Sequence, residues 1–278
     1  MWYTSAAEYF MMMPGSNDAR SRHHTFMKGR KICMIVKPYF EDLTALHIGT
    51  EPNRAYYIPA SGEGMFFCRR EESDRFQSLN GQWKFRYEPS IYEMNDCFYE
   101  EGYDLKAFRE VTVPGMWQMY GVDRNQYTNV RYPFPLDPPY VPRENPCGAY
   151  VREFTYEEIP EAPEVYLNFE GVDSCFYVWL NGNFVGYSQV SHSTSEFKVT
   201  RFLKKGMNSL AVLVLKWCDG SYLEDQDKFR MSGIFRDVFL LKRPREGIRD
   251  YKIKAAPTEN GGGYFEAELS FFGEEREA

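Results

Sequence analysis

The chain has 278 residues, a formal net charge of -7, and 43% hydrophobic and 17% aromatic side chains. That length admits one large β-domain or two ordinary ones, and so much apolar content excludes wholesale disorder. The acidic balance, without a basic stripe to meet phosphates, argues against a nucleic-acid partner. No apolar run approaches the ~20 residues that span a bilayer, so no membrane partner is expected.

The N-terminus, MWYTSAAEYFMMMPG, has neither the basic start nor the continuous apolar stretch of a secretory signal, so a cytoplasmic location is expected. The six cysteines (Cys33, Cys68, Cys97, Cys147, Cys175, Cys218) are scattered, with no CxxC pair and no close histidine. Free thiols fit that spacing better than a disulfide framework or a zinc site.

Residues 1–33 mix Met, Ser, Arg and the pair His23-His24 without a period, which reads as a disordered tail or a start placed too far upstream. Residues 34–75 are rich in Pro and aromatics without sustained alternation, as expected of an extended arm lying across something larger. From Phe76 the signals are those of an all-β domain. SLNGQWKFRYEP places an Asn80-Gly81 turn before alternating Trp83, Phe85 and Tyr87, with Lys84 and Arg86 on a wetter face.

The Pro-studded segment YTNVRYPFPLDPPYVPRENPCGAYVREF cannot be a central strand, because each Pro removes a ladder donor. It reads as a stiff loop, and long ordered loops are commonly functional. EVYLNFEGV alternates Val165, Leu167 and Phe169 against Tyr166, Asn168 and Glu170, predicting one buried and one wet face. FYVWLNGNFVGYS is a hairpin joined through Asn181-Gly182. SLAVLVLKW is apolar on both faces and predicts a central strand. Together these elements, spanning residues 76–244, predict a jelly-roll β-sandwich. Residues 245–278 add two strands, Tyr251–Ala255 and Tyr264–Phe271, across a Gly-rich turn, and two strands alone bury no core. A second, truncated domain is the expectation.

The chemistry concentrates in WCDGSYLEDQDKFRMSGIFRDV, residues 217–238, which sets five carboxylates (Asp219, Glu224, Asp225, Asp227, Asp237) between two apolar runs. An EF-hand loop starting at Asp219 fails, with Leu223 at its fifth position and no Gly at its sixth. Asp225 and Asp227 share a face in an extended stretch and could form a glycosidase pair. One or two of the carboxylates could instead ligate a hard cation or accept from sugar hydroxyls, or the stretch could be a solvated acidic loop. Trp217, Phe229, Ile234 and Phe235 continue strand patterns and are expected in the core. Arg230, Arg236 and Asp237 are expected to form an ion-pair network beneath the loop, with Glu144 and Asn145 buttressing the segment that holds Asn129.

The blocks SLNGQWKF, VPGMWQMYGVDRNQYTNVRYPFPLDPPYVPRENPCGAY, FEGVDSCFYVWLNGNFVGYSQVSHSTSEF, LKKGMNSLAVLVLKW and WCDGSYLEDQDKFRMSGIFRDVFLL occur in order. Together they closely resemble the N-terminal sugar-binding domain of family 2 glycoside hydrolases, of the kind found in large bacterial β-galactosidases. The resemblance implies a jelly roll followed by an immunoglobulin-like domain and a catalytic (β/α)8 barrel. It places both catalytic glutamates on that barrel, so no catalytic residue is expected in this chain. It also implies that Asn129, of YTNV, reaches into the galactose site, and that Asp227, last acid of EDQD, contacts the sugar and ligates a sodium ion. Magnesium would belong to the barrel, and the full enzyme would be a homo-oligomer hydrolysing terminal β-galactosides with retention. His192, Ser193-Thr194, Met116 and Cys218 depart from the family's usual residues but leave Asn129 and Asp227 untouched. Two other readings stay open: a stand-alone carbohydrate-binding module, and the complementing subunit of a split β-galactosidase.

Overall fold

The computed structural model describes residues 34–62, 69–128, 132–224 and 227–273. The tail before Met34 therefore lies outside the described residues, as do Asn129 and Asp225. Among the described residues regular structure is strand, with short 3-10 turns and no α-helix, and no helix is long and apolar enough to cross a membrane.

In chain order the strands are β1 (His47–Ile48), β2 (Phe76–Ser78), β3 (Gly81–Glu88), β4 (Arg109–Val113), β5 (Gln126–Thr128) and β6 (Cys147–Tyr156). There follow β7 (Glu164–Phe169), β8 (Val172–Asp173), β9 (Cys175–Leu180), β10 (Asn183–Gln189), β11 (Ser195–Lys198) and β12 (Gly206–Leu215). The last five are β13 (Lys228–Arg230), β14 (Gly233–Ile234), β15 (Val238–Arg243), β16 (Gly247–Pro257) and β17 (Gly263–Phe272). They assemble into a seven-stranded sheet, β1-β10-β9-β12-β6-β3-β4, and a four-stranded sheet, β11-β7-β15-β2. Three two-stranded ribbons, β13-β5, β14-β8 and β16-β17, complete the set. All pairings are antiparallel, which makes the molecule an all-β jelly-roll sandwich.

The inter-sheet core follows from strand alternation. Trp83, Phe85, Tyr150, Phe176, Val178, Leu210, Val212 and Val214 from the larger sheet meet Val165, Leu167, Phe169, Phe197, Val238 and Leu240 from the smaller. β12 lies between β9 and β6, and its other face (Ala211, Leu213, Leu215) is buried too. A second cluster covers that face, with Val36 and Phe40 from the arm and Ile91, Met94, Phe98 and Phe108 from the β3–β4 connection. This is why SLAVLVLKW carries no polar alternation.

One expected wet face is dry. Tyr166 and Asn168 on β7 are each 2% exposed. The outer face of the small sheet packs Tyr166 with Phe239, Leu241 and Phe76 of β2, and Ile58 of the arm and Phe272 pack against it. Alternation marks the two faces of a strand, but it cannot say that a distant arm will cover one of them.

The arm runs over both sheets. Its strand β1 adds to β10, Tyr39 stacks near Tyr177 and Tyr187, and Arg54 forms a bidentate pair with Glu196 at 2.9 and 2.7 Å. The β9–β10 hairpin turns at Asn181 and Gly182, whose φ values of 51° and 76° are both left-handed, as this tight turn requires. The Asn80-Gly81 turn instead carries the chain from β2 in the small sheet to β3 in the large one, and Asn80 Oδ1 accepts from the Val238 N–H at 2.9 Å.

The β16-β17 ribbon puts Tyr251, Ile253 and Ala255 opposite Leu269, Ala267 and Phe265, making one apolar face. On the other face Lys252 pairs with Glu268 and Lys254 with Glu266. Ile253, Phe265, Leu269 and Phe271 are all large exposed apolar side chains.

Candidate functional site

Two loop systems meet at the end of the sandwich: the Pro-rich segment after β5 and the acidic stretch after β12. The β5-β13 ribbon joins them, with Thr128 opposite Lys228, Tyr127 opposite Phe229 and Gln126 opposite Arg230. Asp227, immediately before β13, is exposed, and the Tyr127 hydroxyl donates to its Oδ1. Asn129 directly follows Thr128 in the chain and lies outside the described residues.

Among the described residues nothing covers the ribbon, and Tyr127 and Phe229 stand 55% and 63% exposed with ring centroids 5.7 Å apart. Phe229 is therefore not the core residue its strand pattern suggested: a two-stranded ribbon has no second layer to bury it. Trp217 and Ile234 are buried as expected, whereas Phe235 is half-buried.

Tyr222 pins the Pro-rich segment. Its hydroxyl accepts from the Asp137 N–H at 3.2 Å and donates to the Tyr140 carbonyl at 2.5 Å, while the Tyr132 hydroxyl donates to the Tyr222 carbonyl at 3.1 Å. Phe134 meets Trp217 and Tyr222 edge-on at 5.0 and 5.2 Å. Asn145, fully buried, exchanges two hydrogen bonds with the Trp217 backbone at 2.8 and 2.9 Å. It therefore holds the start of the acidic stretch, while its neighbour Glu144 is exposed.

Further along, the Ser174 hydroxyl lies 2.9 Å from the Ser221 hydroxyl and 3.2 Å from Cys218 Sγ. Gln189 Oε1 accepts from the Gly220 N–H at 3.2 Å. Glu224 receives the N–H and hydroxyl of Ser191 at 2.7 and 2.9 Å, which fixes the loop after β10. On the β14 side Trp117 donates its backbone N–H to the Ser232 carbonyl at 2.9 Å, and its indole N–H to the Tyr150 hydroxyl at 2.7 Å.

The expected Arg230–Arg236–Asp237 network is not formed. Arg230 is buried against the Trp217 ring at 5.7 Å and donates to the Ser221 carbonyl at 3.2 Å. Arg236 donates to the His192 carbonyl at 3.3 Å. Asp237 instead shares Arg70 with Glu170, whose Oε1 lies 2.6 Å from Arg70 Nη1. The chain between Arg230 and Arg236 pairs with β8 through β14, which carries the three groups to different walls.

Asp219 is the unusual carboxylate of the stretch. It is 7% exposed and its Oδ1 has no partner among the described residues. Burial pushes its pKa up to about 6, against hydrogen bonds from Gln189 and the Gly220 backbone that favour the charged form. Among the described residues no group of three or more His, Cys, Asp or Glu is placed to hold a metal ion. Asp227 could give a hard cation one oxygen ligand, and the rest would have to come from elsewhere.

Sequence patterns alone leave Tyr222 and Glu224 without a role and pass over Gln189 and Ser174, isolated polar residues whose partners lie far along the chain. Asn145 carried a signal, as a polar residue in the proline segment, and it ties the exit of that segment to the Trp217 backbone.

A jelly-roll sandwich whose end gathers an exposed carboxylate, exposed rings and a proline-stiffened loop has the form of a carbohydrate-binding domain. The family model for the sugar binding domain of glycosyl hydrolases family 2 matches residues 76–244, and the chain belongs to that family. The chain is 51% identical over 222 residues to a β-galactosidase of Actinobacillus pleuropneumoniae and 47% identical over 223 residues to one of Staphylococcus xylosus. Each match takes in 80% of this chain and 22% of the relative, so the chain spans about a fifth of the length of these curated relatives. In fold it is similar to a solved β-glucuronidase of an uncultured Clostridium sp., at 19% identity and a TM-score of 0.52, over 76% of this chain and 36% of that one.

Proposed function

We propose that this chain is the N-terminal, sugar-binding portion of a β-galactosidase and forms one wall of its galactoside pocket. The acid/base and nucleophile would be supplied by polypeptide outside these 278 residues. The observation that carries this reading is the β5-β13 ribbon, which brings the chain leading to Asn129 beside Asp227 and sets the Tyr127 hydroxyl on the Asp227 carboxylate. An exposed carboxylate beside exposed rings suits a sugar, accepting from hydroxyls while a ring covers the C–H face. Asn129 would donate and accept without adding charge.

Asp227 would also give one oxygen to a shared sodium ion, with the remaining ligands from outside the described residues. Magnesium would be held by the barrel. β16-β17 would be the first strands of an immunoglobulin-like domain, whose remaining strands would bury the ribbon's apolar face. A cytoplasmic location agrees with the described cysteines Cys97, Cys147, Cys175 and Cys218, all free thiols.

The test is a graft in which this chain replaces the matching 222 residues of the A. pleuropneumoniae relative. The graft should hydrolyse a chromogenic β-galactoside, and the 278-residue chain alone should not. A well-folded, inactive graft would overturn the proposal, as would turnover by the lone chain.

A further inference from the structure

The outer face of the four-stranded sheet is not fully closed by the arm. Where residues 51–57 cross it, they leave a cavity of about 340 Å3. Asn168, Phe239 and Leu241 form its floor, Tyr56 and Tyr57 stand on the arm side, and the turn His192–Thr194 closes the far edge.

Three features distinguish this space from a packing defect. The first is Asn168 itself. It is 2% exposed, with Glu196 beside it on β11 and Phe239 beside it on β15, and its Nδ2 donates to the Tyr166 carbonyl at 3.2 Å. That leaves its Oδ1, at the cavity floor, as an acceptor for a proton donor brought by a ligand.

The second is the stiffness of the walls. The Arg54–Glu196 fork, 10% and 8% exposed in its side chains, and the Glu51 N–H donating to the Glu196 carbonyl at 2.7 Å hold the arm off the sheet. The Tyr57 ring is clamped beneath Arg54 and Arg243, at 5.0 and 4.6 Å. On the far side, Val190 has a left-handed φ of 75°, unfavourable for a β-branched residue, and Glu224 holds Ser191 next to it. Preformed walls of this kind reduce the ordering cost of binding.

The third is charge and size. Two carboxylates, Glu51 and Glu196, line the cavity against one guanidinium, Arg54, which disfavours an anion. The volume lies at the lower end of the roughly 300–1,000 Å3 usual for small-molecule sites.

We propose that this cavity binds a neutral hexopyranose unit. Asn168 Oδ1 accepts from a sugar hydroxyl, and the Tyr56 ring, 59% exposed, packs on the C–H face. The choice of a sugar rests on the family assignment, but the site shares no lining residue with the β5-β13 ribbon and does not depend on Asp227.

The test uses the full 278-residue chain, 15N-labelled and titrated with methyl β-D-galactopyranoside, and separately with methyl β-D-glucuronide, which is of similar size but anionic. The Asn168 side-chain amide should shift saturably with the galactoside and bind the glucuronide more weakly. Asn168→Leu and Tyr56→Ala should each weaken galactoside binding at this cavity, the former by about tenfold for one lost hydrogen bond. Should Asn168→Leu fail to fold, the exposed Tyr56→Ala decides alone. The proposal is overturned by the absence of saturable shifts at tens of millimolar galactoside, by equal affinity for the glucuronide, or by binding that survives Tyr56→Ala. Saturable shifts confined to the β5-β13 ribbon, with none at the cavity's lining residues, would overturn it equally.

Discussion

Asn145 and Trp217 pair as two strand residues would, although neither belongs to a strand: the asparagine amide donates to the tryptophan carbonyl at 2.8 Å and accepts from its N–H at 2.9 Å. The exit of the Pro-rich segment is thereby tied to the entrance of the acidic stretch, both buried. Asn145→Ala should strip two buried backbone groups of their partners and cost about 3 kcal/mol. A urea midpoint within experimental error of wild type would refute the tie.

Tyr222 should matter through its hydroxyl more than its ring. Tyr222→Phe keeps the edge contact with Phe134 but removes the bridge to Asp137 and Tyr140. A loss of about 1–2 kcal/mol is expected. Faster amide exchange should appear at Asp137, and unchanged exchange there would mean the proline residues alone hold the loop.

Arg70 balances two carboxylates. It lies between Glu170 and Asp237 with 20% of its side chain exposed, so its removal strands two partly buried charges. Arg70→Met should cost about 3 kcal/mol, and the double variant with Glu170→Gln should recover part of that. Strict additivity of the two substitutions would show that the pair is not coupled.

Asp219 predicts a pH dependence of definite sign. Its folded pKa, about 6, lies above the usual 3.8, so the fold prefers the protonated form. Stability from this group is full below about pH 4, falls as pH rises, and is lost above about pH 6, a difference of about 3 kcal/mol. Asp219→Asn, measured without divalent cations that a carboxylate could bind, should therefore gain on wild type through that interval and run parallel above it. Parallel curves throughout would contradict the raised pKa.

The sandwich was legible because its signals are local. Alternation in β3, the Asn181-Gly182 turn and the doubly apolar β12 each reflect a period or a φ requirement that a few residues encode. Tyr166 and Asn168 were misread because the arm that covers them is over a hundred residues away. Phe229 was misread for the opposite reason, since a strand pattern does not say whether a second layer exists. The acidic stretch was legible as a place, and less so as an arrangement. Arg70, which captures Asp237, is separated from it by most of the domain, and no spacing rule connects them.

The most direct test of the central claim is the sodium response of the grafted enzyme with and without the Asp227 carboxylate. Galactoside hydrolysis by the graft should rise with sodium, and Asp227→Ala should weaken galactoside binding and abolish that rise while the fold is retained. An Asp227→Ala graft that binds galactoside normally and answers sodium as the parent does would contradict the account.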